Sequence, residues 1–338
     1  MFARLRNRFE ISPHRYAQVT VLALIGLALI VLTGAAVRLT DSGLGCPDWP
    51  QCYGAGAHPP LESHAIIESA NRIVTGLLGV VVIAACILAF FRRPYRRHLA
   101  IFGALLPLGV VAQAILGALV VKYDLKPELV MGHFILSMML LDAGFALMWC
   151  SRYEPWDRRR SWDRKGVWAV RGLVPLGQLT ILAGTIATGS GPHAGEFEGQ
   201  QVKRFTFMGS DTLEWVVQRH AVLAAVYGFA AIGVWFYLRR PGGDRRALKP
   251  LTLVLLLLAA QGLVGYAQWE LELPTEIVWV HVALATCNWL AMLWTIAAAG
   301  RLEPRGGTQP ASRRGGAGSA DSASTPAGAG AGASTGAA

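Results

Sequence analysis

Three histidines carry most of the chemistry legible in this chain. His133, His220 and His281 each stand within a turn or two of the same end of a long apolar run. An ionisable side chain inside such a run is expensive to keep and is usually functional. A lone imidazole there often does no more than bond a backbone carbonyl or reach for the interface. Three at one depth, all on even-numbered runs, are instead placed as axial ligands to a cofactor in a bundle core, where facing helices supply the side chains. His58 and His193 read as ordinary residues of surface loops.

The second apolar run opens with HAIIESANR. His64, Glu68, Asn71 and Arg72 recur at i, i+4, i+7 and i+8, so they share one helical face. Glu68 and Arg72 could simply form an ion pair, but the face corresponds in place to that of His220, which favours a role toward a cofactor. Arg72 and Arg219 suit carboxylate recognition, because a guanidinium forks onto two oxygens; haem propionates are such carboxylates. Cys46 and Cys52 bracket the loop CPDWPQC. On an oxidising face they fit a disulfide, whereas two cysteines alone make a poor metal site. No Gly-rich phosphate loop, HExxH pair or serine-nucleophile motif is present, so a soluble nucleotide cofactor is not expected.

The elements that hold these groups must sit in lipid. Of 338 residues, 53% are apolar and 15% charged, with a mean hydropathy of +0.41. Soluble domains carry about 25% charged residues. These values exclude a water-soluble single-domain enzyme, a nucleic-acid binder and a secreted disulfide scaffold. A span needs about 20 mostly apolar residues, and eight such runs occur, near Ala17–Val37, Ile67–Phe91, Leu99–Val121, Leu129–Cys150, Val167–Thr188, Trp215–Leu238, Leu251–Gln268 and Ile277–Ala299. Gly76, Gly79, Gly103, Gly109 and Gly117 lie inside them, where glycine lets helix backbones approach. With both termini in the cytoplasm, 24 of the 31 Lys and Arg residues fall on the inner side, as the positive-inside rule requires. The expected architecture is therefore an all-α membrane protein of eight transmembrane helices in two pseudo-symmetric four-helix bundles.

The two halves repeat. Gln113, Gly117 and His133 are spaced like Gln261, Gly265 and His281, and LTGAAV in the first run answers LAGTIATG in the fifth. Four spans per half give both halves the same sense in the membrane, which implies a twofold axis along its normal. The resulting division is a cytoplasmic segment 1–16, an N-terminal half 17–150, a basic linker 151–166, a C-terminal half 167–300, and a disordered Gly/Ala/Ser tail 301–338 on the cytoplasmic side.

The segments LTDSGLGCPDWPQCYG, IIESANR and TGSGPHAGE, with the paired histidines, resemble the haem A synthase family over roughly residues 17–300. Members of that family oxidise haem O to haem A in the cell membrane for terminal oxidases. The resemblance implies that His220 and His281 ligate a haem b cofactor in the C-terminal half. It implies that His133 and the helix carrying Glu68 hold haem O as substrate in the N-terminal half, with Glu68 handling protons or orienting the substrate. The family often shows Glu-x-x-His-Arg where this chain has Glu68-Ser-Ala-Asn71-Arg72. The substrate iron is thus left with His133, and with His64 as an outside candidate one turn before Glu68. Haem O synthase and assembly factors of the terminal oxidase are the partners implied, besides membrane lipid. Whether the chain forms a homo-oligomer is left open by the sequence. The competing readings are a haem b electron-transfer protein and a haem carrier, neither of which modifies its haem.

Overall fold

A computed structural model describes residues 9–46, 52, 63–154, 161, 163–196 and 200–300. Positions 1–8, His58 and the tail 301–338 lie outside the described residues. The described chain is all-α, with eight helices long and apolar enough to cross a membrane. They are α1 (Pro13–Leu39), α2 (Ser63–Phe91), α3 (Arg97–Lys122), α4 (Pro127–Arg152), α5 (Arg164–Ser190), α6 (Thr212–Arg239), α7 (Leu248–Glu270) and α8 (Thr275–Ala299). Several helices outrun the apolar stretches at their ends. At the start of α1, for example, Ser12 accepts from Arg15 N at 3.3 Å and proline follows at the first turn, the preferred start of a helix. Pro107 and Pro175 lie within α3 and α5; packed membrane helices tolerate such interruptions.

Neighbouring helices close into two rings, α1–α4 and α5–α8, joined where α1 meets α8 and α4 meets both α5 and α8. Two indoles on α8 tie the rings together. Trp279 Nε1 donates to Leu32 O at 3.0 Å, and Trp289 Nε1 donates to Asp142 Oδ1 at 2.7 Å. The core between helices is built from small and aliphatic side chains, among them Ala23, Ala85, Ala231, Leu106 and Leu141.

The glycines of the first half do several different jobs. A Cβ on Gly103 would meet Cys86 Cα at 3.3 Å and Ala85 O at 3.4 Å, so α2 and α3 do approach there. Gly109 instead makes room for the Leu140 side chain, and Gly117 for the ring of His133. Gly76 and Gly79 have nothing within 4 Å of a Cβ and line a cavity, so close helix approach is not their role.

The turns between α3 and α4 and between α7 and α8 share one geometry. Asp124 and Leu125 have φ of 51° and 53°, and Glu272 and Leu273 have 61° and 63°. Leu125 N donates to Val120 O at 2.9 Å and Leu273 N to Gln268 O at 2.7 Å. Successive left-handed non-glycine residues are costly and persist only where their surroundings dictate them. Each such turn launches a helix that carries a histidine into the bundle.

At the end of the molecule that holds the N-terminus of α1, part of the basic excess is structural. Arg92 is fully buried, pairs with Glu154 and donates to Pro94 O at 2.6 Å. Arg96 donates to Cys150 O and Tyr153 O, both at 2.8 Å. Asp163 accepts from Gly166 N at 2.9 Å at the start of α5, and from Arg240 at 2.7 Å. Burial pushes its carboxyl up, but these donors and Asp244 N outweigh burial and hold it below the ordinary carboxylate range.

Candidate functional site

A cavity of about 1520 Å³ runs through both rings, and all eight helices line it. That exceeds the roughly 300–1,000 Å³ of a single small-molecule site. His133, His193, His220 and His281 all line it.

In the α5–α8 ring, the rings of His220 and His281 stand 6.3 Å apart between centroids. Imidazole nitrogens bind first-row metals at about 2 Å, so two rings on opposite sides of one ion stand about 6 Å apart. His220 Nδ1 lies 3.0 Å from Thr180 O. A backbone carbonyl can only accept, so Nδ1 carries the proton and Nε2 is left as the metal-facing atom. The chain comes close behind both rings: a Cβ on Gly184 would lie 3.0 Å from His220 Cε1, and one on Gly265 3.3 Å from His281 Cε1. With its amide nitrogen toward α8, Gln261 donates to His281 O at 3.1 Å. These residues fit an iron porphyrin gripped between two imidazoles.

The α1–α4 ring repeats half of that arrangement. Gln113 Nε2 donates to His133 O at 3.0 Å, and Gly117 backs His133 Cε1 at 3.5 Å. The other half differs. Glu68 is buried on the cavity wall, where Oε2 accepts from Cys46 N at 2.8 Å and Oε1 from Arg72 at 2.5 Å. Asn71 lines the cavity with its Oδ1 buried and without a protein partner. His133 Nδ1 and Gln113 Oε1 are orphaned in the same way on the walls of this ring, and Tyr227 OH on the α6 wall of the other. Buried polar atoms in this number mark a place for a ligand with polar groups of its own.

The structure does not bring every candidate together. His64 is absent from the cavity lining; its Nδ1 lies 3.1 Å from Ser42 Oγ, in the packing of the loop after α1. Arg219 is exposed, with its guanidinium 4.2 Å over the Trp215 ring and donating to Trp215 O at 3.2 Å. Arg38, near the end of α1, lines the cavity instead and donates to His193 O. His193 is no idle loop residue: its Nε2 lies 2.7 Å from Leu273 O within the second ring, while Arg38 on His193 O and Gly43 N on Gly195 O at 2.9 Å tie the 191–196 loop to the first ring. Thr180 escaped notice because it acts through its carbonyl, which every residue type possesses.

Cys46 and Cys52 form a disulfide, and both are buried against Ala65 at the start of α2. Because Cys46 N also holds Glu68, the bridge fixes the loop that positions the carboxylate. In membranes, a maleimide reagent is expected to leave both thiols unlabelled until a reductant is added. Labelling without reductant would show the bridge to be open in the cell.

Eight lipid-spanning helices with imidazoles converging on an internal cavity define a multi-pass membrane protein whose site lies within the bundle. The family model for COX15-CtaA, cytochrome oxidase assembly protein, matches residues 17–69 and 61–193. These stretches take in more than half of the sequence, and the chain belongs to that family. Among curated relatives, the heme A synthase of Lysinibacillus sphaericus is 32% identical over 35% of this chain and 39% of its own. That of Halalkalibacterium halodurans is 35% identical over 35% of this chain and 40% of its own. The heme A synthase of Bacillus cereus strain AH187 is 32% identical over 40% and 43%. The chain thus spans about two fifths of the length of the relatives it matches.

Proposed function

We propose that this protein is a haem A synthase: it oxidises a ring methyl of haem O to a formyl group, through a hydroxymethyl stage and a hydrated aldehyde that loses water. The observation that carries this reading is the asymmetry of two otherwise matching pockets. One holds two opposed imidazoles, 6.3 Å apart. The other holds a single imidazole and a buried carboxylate. A relay of electrons alone has no need of the second arrangement. Family membership and the names of the relatives point the same way.

In this reading His220 and His281 hold haem b in the C-terminal half, and the bound haem supplies one-electron redox chemistry. The chain's own work is to bind, orient and move protons. His133 holds the substrate on one side, with its helix steadied by Gln113. Glu68 handles protons or orients the substrate near the reacting methyl, and the Cys46 amide and Arg72 fix where its oxygens stand. Arg72 and Arg38 place positive charge on the cavity wall for propionates. Most of the remaining wall is apolar, which suits a flat macrocycle and keeps water low around it. The placement of Lys and Arg supports residence in the cell membrane with both termini in the cytoplasm and the disulfide outside. Haem O synthase and oxidase assembly factors are the partners this activity calls for.

The test is co-expression with a haem O synthase in cells that make no haem A, followed by chromatography of extracted haems. Haem A, or its hydroxymethyl precursor, is expected to accumulate. Unchanged haem O beside an intact low-spin haem b spectrum would overturn the assignment in favour of an electron carrier or haem carrier.

A further inference from the structure

We propose that Gln113 reads the hydroxyl group that distinguishes haem O from haem b, and that the apolar arm of the cavity inward of Gln113 takes the prenyl chain borne by the same carbon. This rests on the reading above that the α1–α4 pocket holds haem O.

Haem O and haem b share their propionates and differ on the opposite edge of the macrocycle. There, one vinyl group of haem b is replaced by a carbinol that carries an isoprenoid chain. A porphyrin whose propionates meet Arg38 and Arg72 turns that edge away from the arginine end of the pocket. A Cβ on Gly195 would meet Arg38 Cγ and Leu125 Cδ1, both at 3.4 Å, so Arg38 shares its end of the bundle with the α3–α4 turn. Ser137 stands one turn past His133 along α4, away from that end. Gln113 reaches both, its Nε2 donating to His133 O at 3.0 Å and to Ser137 Oγ at 2.5 Å. A carbonyl can only accept, so the amide nitrogen is fixed toward α4. The other end, Oε1, is buried without a protein partner, and Gln113 and Ser137 both line the cavity. An alcohol donates a hydrogen bond and a vinyl group does not. The hydroxyl of haem O satisfies this oxygen; haem b leaves it bare, which costs affinity.

The α5–α8 ring has the same frame and no free acceptor. Gln261 reaches His281 O as Gln113 reaches His133 O, but its oxygen accepts from Ala285 N at 3.1 Å, and alanine stands where the first ring has Ser137.

Inward of this level the pockets diverge further. Equal steps along α2 and α6 pair Leu78 with Tyr227. Equal steps along α4 and α8 pair Leu140 with Asn288 and Leu141 with Trp289. In the second ring Trp289 and Tyr227 close on Gly177, where a Cβ would lie 3.2 Å from Trp289 Cζ3 and 3.5 Å from Tyr227 Cζ. The Tyr227 hydroxyl is buried and unpartnered, and a hydrocarbon chain pressed against it would leave it so. In the first ring Leu78 and Leu140 line the cavity with Leu27, Val82, Pro107 and Val110. Such a wall favours a hydrocarbon occupant over water.

The probes are haem O and haem b. The full-length protein, with haem b already in its C-terminal half, is titrated in detergent with each, and filling of the α1–α4 pocket is read from the Soret band. The wild type is expected to prefer haem O. Gln113→Met should lower the ratio of the two affinities about tenfold; any loss common to both haems reports the support withdrawn from His133. Leu78→Tyr, which places the second ring's residue in the arm, should lower the ratio by about 10–100-fold. In both variants an unchanged low-spin spectrum of the C-terminal haem shows the bundle intact. An unchanged ratio in either variant, or a wild-type pocket that takes both haems equally, would overturn this assignment alone. A chain that accepts no second haem would overturn the two-pocket reading and this inference with it.

Discussion

Replacing His281 with alanine should abolish the low-spin haem b spectrum of the purified protein while leaving its helix content unchanged. The ring does little structural work. Both rings face the cavity, and the indole contacts that join the two rings of helices run through Trp279 and Trp289 instead. What the two imidazoles share is each other, across a gap suited to one metal ion. If they are the proposed axial pair, removing either leaves at most one such ligand, and a haem so held turns high-spin or is lost on purification. His220→Ala should behave alike, and in that variant Thr180 O also loses its partner. Gln261→Ala offers a graded control. It removes the amide that reaches His281 O at 3.1 Å, its Nδ1 at 3.3 Å and Ala285 N at 3.1 Å, so the spectrum should persist with affinity lowered by about 10–100-fold, as for other outer partners of metal ligands. A normal low-spin spectrum in both histidine variants would defeat the ligand assignment. Equal losses in all three variants would point to a general collapse of the bundle instead.

How much of this was legible in advance follows from what lipid does to a sequence. The eight spans were readable because the thickness of the hydrocarbon core sets a length that an apolar run must meet. His133, His220 and His281 could be singled out because an ionisable group inside an apolar run stands out, and all three line the cavity. Which face of each helix turns inward was much harder to see. In water a helix shows its buried side as an apolar stripe, but lipid is as apolar as the bundle interior, and the stripe disappears. That is why Gly76 and Gly79 read as contact points between helices when they line the cavity, and why Arg219 read as a propionate partner although it lies on Trp215. Contacts between the rings were invisible for another reason. Asp142 with Trp289, and Arg38 with the carbonyl of His193, join residues more than a hundred positions apart, and nothing in their local sequence names the partner.

The second large effect concerns Glu68. Glu68→Gln should lower conversion of haem O by about 10²–10⁴-fold, the usual range for losing a positioned acid or base, with the haem b spectrum unchanged. Oxidation of a methyl group must move protons in step with electrons, and among the described acidic residues that line the cavity, Glu68 and Glu214, only Glu68 stands on the ring that carries His133. Glutamine keeps the shape and still offers an oxygen to Cys46 N, so the loop bearing the disulfide should hold its place. It cannot take a proton, and it leaves Arg72 without its carboxylate partner. Comparison with Glu68→Asp separates these two losses. Aspartate restores the charge but draws it back from both Cys46 and the cavity, so a proton-handling role predicts partial recovery of turnover. A role confined to anchoring the loop predicts the reverse order, since glutamine reaches Cys46 N and aspartate does not. Extracted haems from the two variants, each normalised to haem b, decide between them; full conversion by Glu68→Gln would make Glu68 a brace for the disulfide loop and nothing more.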